Sequence, residues 1–279
     1  MVTLQAVRDE FQQVSRLYRL AKNPLERASI ARFILKSAVA YHISDKFFRE
    51  DTTVYLHGTK YIIGLQSGEI GIFEEFYGEK VYDREADFIS KIGWTVFDLG
   101  ANVGLFTIQQ ARRGAHVFAF EPNPDCYRRL SKAIVANELT SQVSILNYAV
   151  GSAPGSGTML VPDSKWTTMG CVIPVDSSNS GHTPPVKITS LDRIVPSLDV
   201  ARIDLLKIDV EGAEVGVLRG AARTLELVER IVLECHSRDL LDQVGVFLDG
   251  HGFSQVLQIG NTSSPDVQLL YARRSLSTR

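Results

Sequence analysis

The sequence predicts an α/β fold: a mostly parallel, doubly wound sheet of seven strands with an antiparallel last strand, preceded by an N-terminal helical cap and a β-hairpin. Three observations predict it. From Trp94 onward, short β-branched and aromatic runs alternate with helical periodicity, the pattern of successive βαβ units. The first unit carries a glycine turn, Asp98-Leu99-Gly100-Ala101-Asn102-Val103-Gly104, between a buried strand and a helix start. The chain then closes on two strand-like runs joined by Asn261-Thr262-Ser263-Ser264-Pro265, which reads as a terminal antiparallel hairpin.

The 279 residues fit one α/β domain with additions, and 44% hydrophobic content supplies a sizeable core. A formal net charge of −2 gives no reason to expect a polyanion, so no nucleic-acid partner is expected. Three cysteines, Cys126, Cys171 and Cys235, show no paired spacing, which favours a reducing compartment and disfavours a zinc cluster. Arg8, Asp9 and Glu10 interrupt any leader-like apolar run, and no stretch is long and apolar enough to span a bilayer. The expectation is a cytoplasmic protein with no membrane insertion.

Taken in order, Leu4, Val7, Phe11, Val14 and Tyr18 make one helical stripe, and Asn23-Pro24 ends that helix and starts the next. This region, rich in Lys and Arg, is expected to pack as a helical cap with a solvated basic face; the sharper readings are a lid, or a helix pair joining a homodimer. Thr53–Leu56 and Tyr61–Leu65 form a hairpin about His57-Gly58-Thr59-Lys60. A helix is expected from about Asp83 to Lys91. The boundary between cap and main domain is placed at 82/83.

The first strand of the main domain is Trp94–Leu99 and its helix Val103–Arg113. His116–Phe120 is the second strand, followed by a helix over Pro124–Asn137 with Asn123 as its N-cap. Val143–Tyr148 is the third. Residues 151–190, dense in Gly, Ser and Pro, break the alternation and form an acceptor-side excursion with strand fragments at Thr158–Val161 and Val186–Ile188. Trp166, Thr167, Thr168 and Met169 are its expected contact residues. Strands Ile203–Asp209 and Ile231–Cys235 follow, with helices Ala213–Leu227 and Arg238–His251, then Phe253–Ile259 and Val267–Ala272.

The glycine turn reads D-x-G-x-x-x-G and lacks the third glycine of a dinucleotide loop. An acid ahead of its first glycine suits a ligand with a positive amine, such as the methionine end of S-adenosylmethionine. Glu121 ends the next strand, 23 positions after Asp98, where a carboxylate can accept both hydroxyls of an adenosyl ribose. Together these acids point to a nucleoside ligand.

Val96–Gly104, Phe120-Glu121-Pro122-Asn123, Asn147-Tyr148-Ala149-Val150-Gly151 and Leu206-Lys207-Ile208-Asp209-Val210-Glu211-Gly212-Ala213-Glu214 follow one another in a characteristic order. In these blocks the chain resembles the FkbM-type methyltransferases over residues 70–272, and K-I-D-V-E-G-A-E is the most specific part. The resemblance implies a Rossmann-like class I methyltransferase using S-adenosylmethionine. It implies further that Asp98, Gly100, Asn102 and Gly104 line the methionine end. Glu121 would hold the ribose with Asn123 beside it, and Asn147, Ala149 and Val150 would lie near the adenine.

Asp209 and Glu211 stand at the end of a strand facing the ligand crevice, on the same side by strand alternation. They can bind polar groups of the substrate, act as a general base for a hydroxyl, or share a divalent metal. The alternative is that Glu211 caps the next helix and Asp209 pairs with Lys207. Two acids do not complete a metal site, so no metal is expected. Glu234 and His236 occupy the same place one strand later, and His236 could take a proton from an acceptor or contact it. Asp209, Glu211 and His236 are therefore the candidate catalytic residues. The expected reaction is O-methylation of a small-molecule hydroxyl on a sugar, glycan or polyketide-like product. Its rivals are an NAD-type oxidoreductase, which the missing glycine disfavours, and a non-catalytic nucleoside-binding or assembly module.

Overall fold

In the computed structural model, which describes residues 18–43, 51–64, 72–160, 171–174, 185–260 and 266–275, Asn23 and Pro24 start helix α1 (Pro24–Ile43). The Asn23 side chain accepts the Glu26 N–H at 2.9 Å, and proline supplies the fixed φ of the first turn. The buried Glu26 carboxylate accepts N–H groups of Lys22 at 2.8 Å and Gly58 at 3.2 Å, which ties the helix start to the hairpin behind it. That hairpin pairs β1 (Asp51–Leu56) with β2 (Thr59–Gly64). Leu56 faces Thr59, so the turn is the two residues His57 and Gly58, shorter than the four-residue reading. Both have positive φ, 51° and 75°, as a two-residue hairpin turn requires. The stripe residues Leu4, Val7, Phe11 and Val14 lie outside the described residues.

The expected helix over 83–91 does not form. A π-helical turn (Glu74–Glu79) is followed by two short 3-10 turns, Val81–Asp83 and Ala86–Phe88. Tertiary anchors hold this segment instead of helical bonding. Lys80 breaks the chain in the left-handed region at φ 53°, Arg113 takes the Asp83 carboxylate with both terminal nitrogens, and Phe88 packs edge-on to Tyr271 at 5.0 Å.

The main sheet begins with β3 (Thr95–Leu99), then helix α2 (Leu105–Arg112), β4 (His116–Phe120), α3 (Pro124–Ala136) and β5 (Val143–Leu146). The chain leaves the sheet through β6 (Ala149–Val150), β7 (Gly155–Leu160), β8 (Cys171–Pro174) and β9 (Pro185–Thr189), with a short α4 (Leu191–Ile194). It returns with β10 (Leu205–Ile208), α5 (Glu214–Arg219), β11 (Arg230–Cys235), α6 (Arg238–Gly250), β12 (Phe253–Gly260) and β13 (Gln268–Arg274). The seven-stranded order is β12-β13-β11-β10-β3-β4-β5, parallel except for β13, which runs antiparallel to both neighbours. This is the Rossmann-like α/β architecture expected. Strand order reverses between β3 and β10, so the crevice of the fold opens at their carboxyl ends.

The excursion and the helix after β10 both differ in extent from the expectation. β7 and β9 overlap the two strand fragments expected within residues 151–190, and with β6 and β8 they make a separate four-stranded sheet in the order β6-β9-β7-β8. Trp166, Thr167, Thr168 and Met169 lie outside the described residues. The helix expected over 213–227 splits into α5 and a 3-10 turn (Thr224–Leu227). Gly220 sits so close to the Gly151 carbonyl that a Cβ would lie 2.2 Å from it. Asp192 then captures the N–H groups of Arg223 at 3.1 Å and Thr224 at 2.7 Å, ending the helical ladder.

Strand alternation divides the core. Phe97, Leu99, Leu206 and Ile231 pack with α5 and α6 on one face. On the other face Val96, Val117, Leu205 and Val232 join α2, α3, the hairpin residues Val54, Leu56, Tyr61 and Ile63, and Ile30 and Phe33 of α1. Cap and sheet thus share one core. Among the described residues no helix is long and apolar enough to cross a membrane.

Candidate active site

The glycine turn after β3 is shaped by close approach. Gly100 has φ 82°, and a Cβ there would lie 1.8 Å from the Asp209 carbonyl oxygen, so only glycine lets the ends of β3 and β10 meet. The N–H groups of Gly100 and Ala101 both donate to the Phe120 carbonyl at 3.0 Å, which fixes the turn against β4. Asn102, at φ 51°, then points its N–H at Glu121 Oε2, 2.6 Å away, while the Asn123 N–H donates to Oε1 at 2.8 Å. Glu121 is only 4% exposed, and burial outweighs those two hydrogen bonds to push its carboxyl up to about 7. A cleft opens here, lined by Gly100, Asn102, Glu121, Tyr148, Ala149, Val150 and Met159, and continues to Asp209 and Glu211.

The second half of the site is built where β10 and β11 end. Asp209 follows β10; Glu211 and Gly212 both take positive φ, 53° and 99°, and turn the chain into α5. Wholly buried Glu214, in the first turn of α5, accepts the Gly212 N–H at 2.9 Å through Oε1. The same oxygen lies 2.7 Å from His236 Nδ1. The other ring nitrogen, Nε2, is 3.3 Å from Glu211 Oε2 and 3.9 Å from Asp209 Oδ1. Burial alone would lower the His236 pKa, but the Glu214 hydrogen bond and the charges of Asp209 and Glu211 prevail and raise it to about 9.

Lys207 and Tyr82 brace this cluster from the far side. The Lys207 ammonium reaches Asp98 Oδ1 and the Gly100 carbonyl at 3.1 Å each, and Asp209 Oδ2 at 3.3 Å. The Tyr82 hydroxyl donates to Asp209 Oδ2 at 3.4 Å and Glu234 Oε2 at 3.5 Å. Burial, then the charges of Asp209 and Glu75, raise the Glu234 carboxyl to about 8, and burial with Asp209 also raises Glu211.

A family model described as the methyltransferase FkbM domain matches residues 98–255, from the acid of the glycine turn to the strand after α6. The chain belongs to the FkbM methyltransferase family. It is 29% identical over 236 residues to methyltransferase sdnD of Sordaria araneosa, covering 73% of this chain and 89% of that protein. It is 27% identical over 219 residues to the 31-O-demethyl-FK506 methyltransferase FkbM of Streptomyces tacrolimicus, covering 67% and 82%. It is also 29% identical over 142 residues to the hexuronic acid methyltransferase AglP of Haloferax volcanii, covering 51% and 56%. The protein is thus an S-adenosylmethionine-dependent methyltransferase, and S-adenosylmethionine is its methyl donor.

The cleft of this FkbM-family chain fits that cofactor. Glu121 keeps acceptor lone pairs beyond the two N–H groups it already accepts, at the wall of the cleft. Asn102 Oδ1 is a buried acceptor with no partner among the described residues, in the wall of the same cleft. Of the residues expected to bind the cofactor, Gly100, Asn102, Glu121, Ala149 and Val150 line the cleft. Four are not in its lining. Asp98 is wholly buried and accepts Thr107 Oγ1 at 2.5 Å as well as Lys207, so it anchors the lysine under the turn. Gly104 makes room for Leu130, whose Cδ1 would lie 2.2 Å from a Cβ. Asn123 caps α3, accepting the N–H groups of Asp125 and Cys126. The Asn147 amide donates to the carbonyls of Glu121 at 2.8 Å and Pro122 at 3.2 Å.

The three candidate catalytic residues do converge. One atom each from Asp209, Glu211 and His236 lie within 4.8 Å of one another, a spacing that could also hold a metal ion. The expectation of no metal counted two acids; the fold adds the histidine. Sequence reading missed the roles of Glu214 and Tyr82. Glu214 carried a signal, its place three residues after Glu211 at a helix start. Tyr82 carried none, because the two carboxylates its hydroxyl meets are more than 120 positions away in sequence.

Proposed function

We propose that this methyltransferase transfers the methyl group to a hydroxyl oxygen of a small molecule, of the sugar, glycan or polyketide-like class. The observation that carries the reading is that Asp209 and Glu211 line the same cleft as Gly100 and Glu121, with His236 against both carboxylates. Bound S-adenosylmethionine supplies an activated methyl on a sulfonium. The chain's own task is to align a nucleophile and remove its proton. In this reading Glu121 and Asn102 hold the cofactor, the Asp209–Glu211–His236 cluster binds the hydroxyl and takes its proton, and Glu214 orients the imidazole. The relatives named for 31-O-demethyl-FK506 and hexuronic acid support a small-molecule acceptor. The net charge of −2 argues against nucleic acid. We place the protein in the cytoplasm on its unpaired cysteine pattern, and assign the N-terminal cap and the 151–190 excursion to shaping the acceptor side.

Calorimetry tests the cofactor half: S-adenosylhomocysteine should bind the wild-type chain and be strongly weakened in Glu121→Ala. Tighter binding of NAD than of S-adenosylhomocysteine would overturn the reading. Methyl-labelled cofactor incubated with sugar and polyketide acceptors tests the other half. The label should enter a base-stable ether, and Glu211→Gln and His236→Ala should lose turnover while keeping S-adenosylhomocysteine affinity. A base-labile ester, or full turnover in both variants, would overturn it.

A further inference from the structure

We propose that Asp209, Glu211 and His236 form a binding site for one divalent transition-metal cation of the Mn²⁺ or Zn²⁺ class. This deepens the hydroxyl-transfer reading and rests on it for the cation's task, which is to hold and acidify the acceptor oxygen beside the cofactor cleft.

The geometry offers one donor atom from each residue and occupies the others elsewhere. Asp209 Oδ2 is engaged by Lys207 at 3.3 Å and by the Tyr82 hydroxyl at 3.4 Å, which leaves Oδ1 on the His236 side. His236 Nδ1 is engaged by Glu214 at 2.7 Å, which leaves Nε2 toward the carboxylates. Glu211 contributes Oε2, 3.3 Å from that nitrogen. These donors lie within 4.8 Å of one another, so small side-chain movements bring all three onto a common ion.

Glu214 is the independent observation. It is wholly buried, and its Oε1 meets the Gly212 N–H and His236 Nδ1. Its Oε2 is buried and has no hydrogen-bond partner among the described residues. Leaving a carboxylate oxygen unmet in the core is costly. The residue pins the imidazole with Nε2 free, the role that outer carboxylates have behind metal-bound histidines. One imidazole nitrogen with two carboxylate oxygens suits Mn²⁺, Co²⁺ or Zn²⁺ better than Mg²⁺ or Ca²⁺, which take oxygen ligands.

The competing arrangement is a charged imidazole bridging the two carboxylates with no ion. Titration calorimetry and electron paramagnetic resonance of the full chain with Mn²⁺ separate the two. The proposal expects one Mn²⁺ per chain in the wild type and no such binding in Asp209→Asn or His236→Ala. In Glu214→Gln, binding should weaken by about 10–100-fold. S-adenosylhomocysteine binding in the same samples reports that each variant is folded. Absence of Mn²⁺, Co²⁺ and Zn²⁺ binding to a wild-type chain that binds S-adenosylhomocysteine would overturn the site and leave the methyl-transfer reading standing. Equal Mn²⁺ binding by wild type, Asp209→Asn and His236→Ala would overturn it as well. Wild-type Mn²⁺ binding that those two substitutions abolish would support the site even where no hydroxyl acceptor is methylated.

Discussion

Two acids at consecutive strand ends, Asp98 and Glu121, look equivalent in the sequence and are not equivalent in the molecule. Asp98 is neutralised by Lys207, 109 positions away, whereas Glu121 meets only backbone N–H groups and the open cleft. No local pattern reports a lysine on a neighbouring strand, so position alone assigned both acids to the ligand. For Glu121 the buried setting gives a pH dependence. Protonating either oxygen would turn an acceptor toward an N–H donor, so the ionised form is the one suited to hold a ribose. Its pKa of about 7 means that S-adenosylhomocysteine affinity should fall as pH drops through 7. In Glu121→Gln the affinity should be weak and show no such step; calorimetry across this range checks both. Stability runs the other way. The folded state binds this proton more tightly than the unfolded state, so the group favours folding progressively as pH falls from about 7 toward the ordinary carboxylate value. Subtracting the Glu121→Gln stability curve from the wild type should isolate that slope.

Elements were legible where a buried apolar run dictated them and illegible where distant partners did. His116–Phe120 is a strand with the expected bounds because a central parallel strand is apolar on both faces. The segment 83–91 has helical composition, yet Arg113 and Tyr271 claim it. The four-stranded excursion was legible only in part: fragments of β7 and β9 could be read, but the sheet could not, because it pairs β6 with β9 across more than 30 residues. Two substitutions test element contacts. Gly100→Ala places a methyl 1.8 Å from the Asp209 carbonyl at a positive φ, and should destabilise by at least about 2 kcal/mol in urea unfolding and abolish S-adenosylhomocysteine binding. Asp51, at the start of β1, accepts from Lys132 at 2.7 Å, Arg129 at 3.1 Å and Arg128, all on α3. Burial would raise its carboxyl, but these three cations hold it well below the usual carboxylate range. Its contribution is therefore present above the unfolded-state pKa and lost in strong acid. Two of the partners are well exposed, so Asp51→Asn should cost only about 1–2 kcal/mol at neutral pH and leave S-adenosylhomocysteine affinity unchanged.

At the scale of the whole molecule, the boundary read at 82/83 does not mark a gap in the packing. Ile30, Phe33, Val54, Leu56, Tyr61 and Ile63 belong to the same buried cluster as Val96, Val117 and Leu130. The hairpin is also pinned to the end of α3. Asn137 donates to the Lys60 carbonyl at 2.7 Å and accepts the Lys60 N–H at 3.0 Å, completing a bridge that the Asp51 cations begin. The cap cannot leave without uncovering apolar surface on α2 and α3, the two helices that follow the glycine turn and Glu121. Each fully buried aliphatic or aromatic side chain contributes about 1.5–3 kcal/mol, so several of them together outweigh the stability of a typical domain. The described parts of cap and sheet should therefore unfold as one unit. Circular dichroism and S-adenosylhomocysteine binding should be lost at the same urea concentration, and a chain lacking residues 1–64 should aggregate and fail to bind S-adenosylhomocysteine. A soluble truncated chain that bound S-adenosylhomocysteine like the wild type would instead make the cap a separate unit, and its influence on the site would have to come from the acceptor side alone.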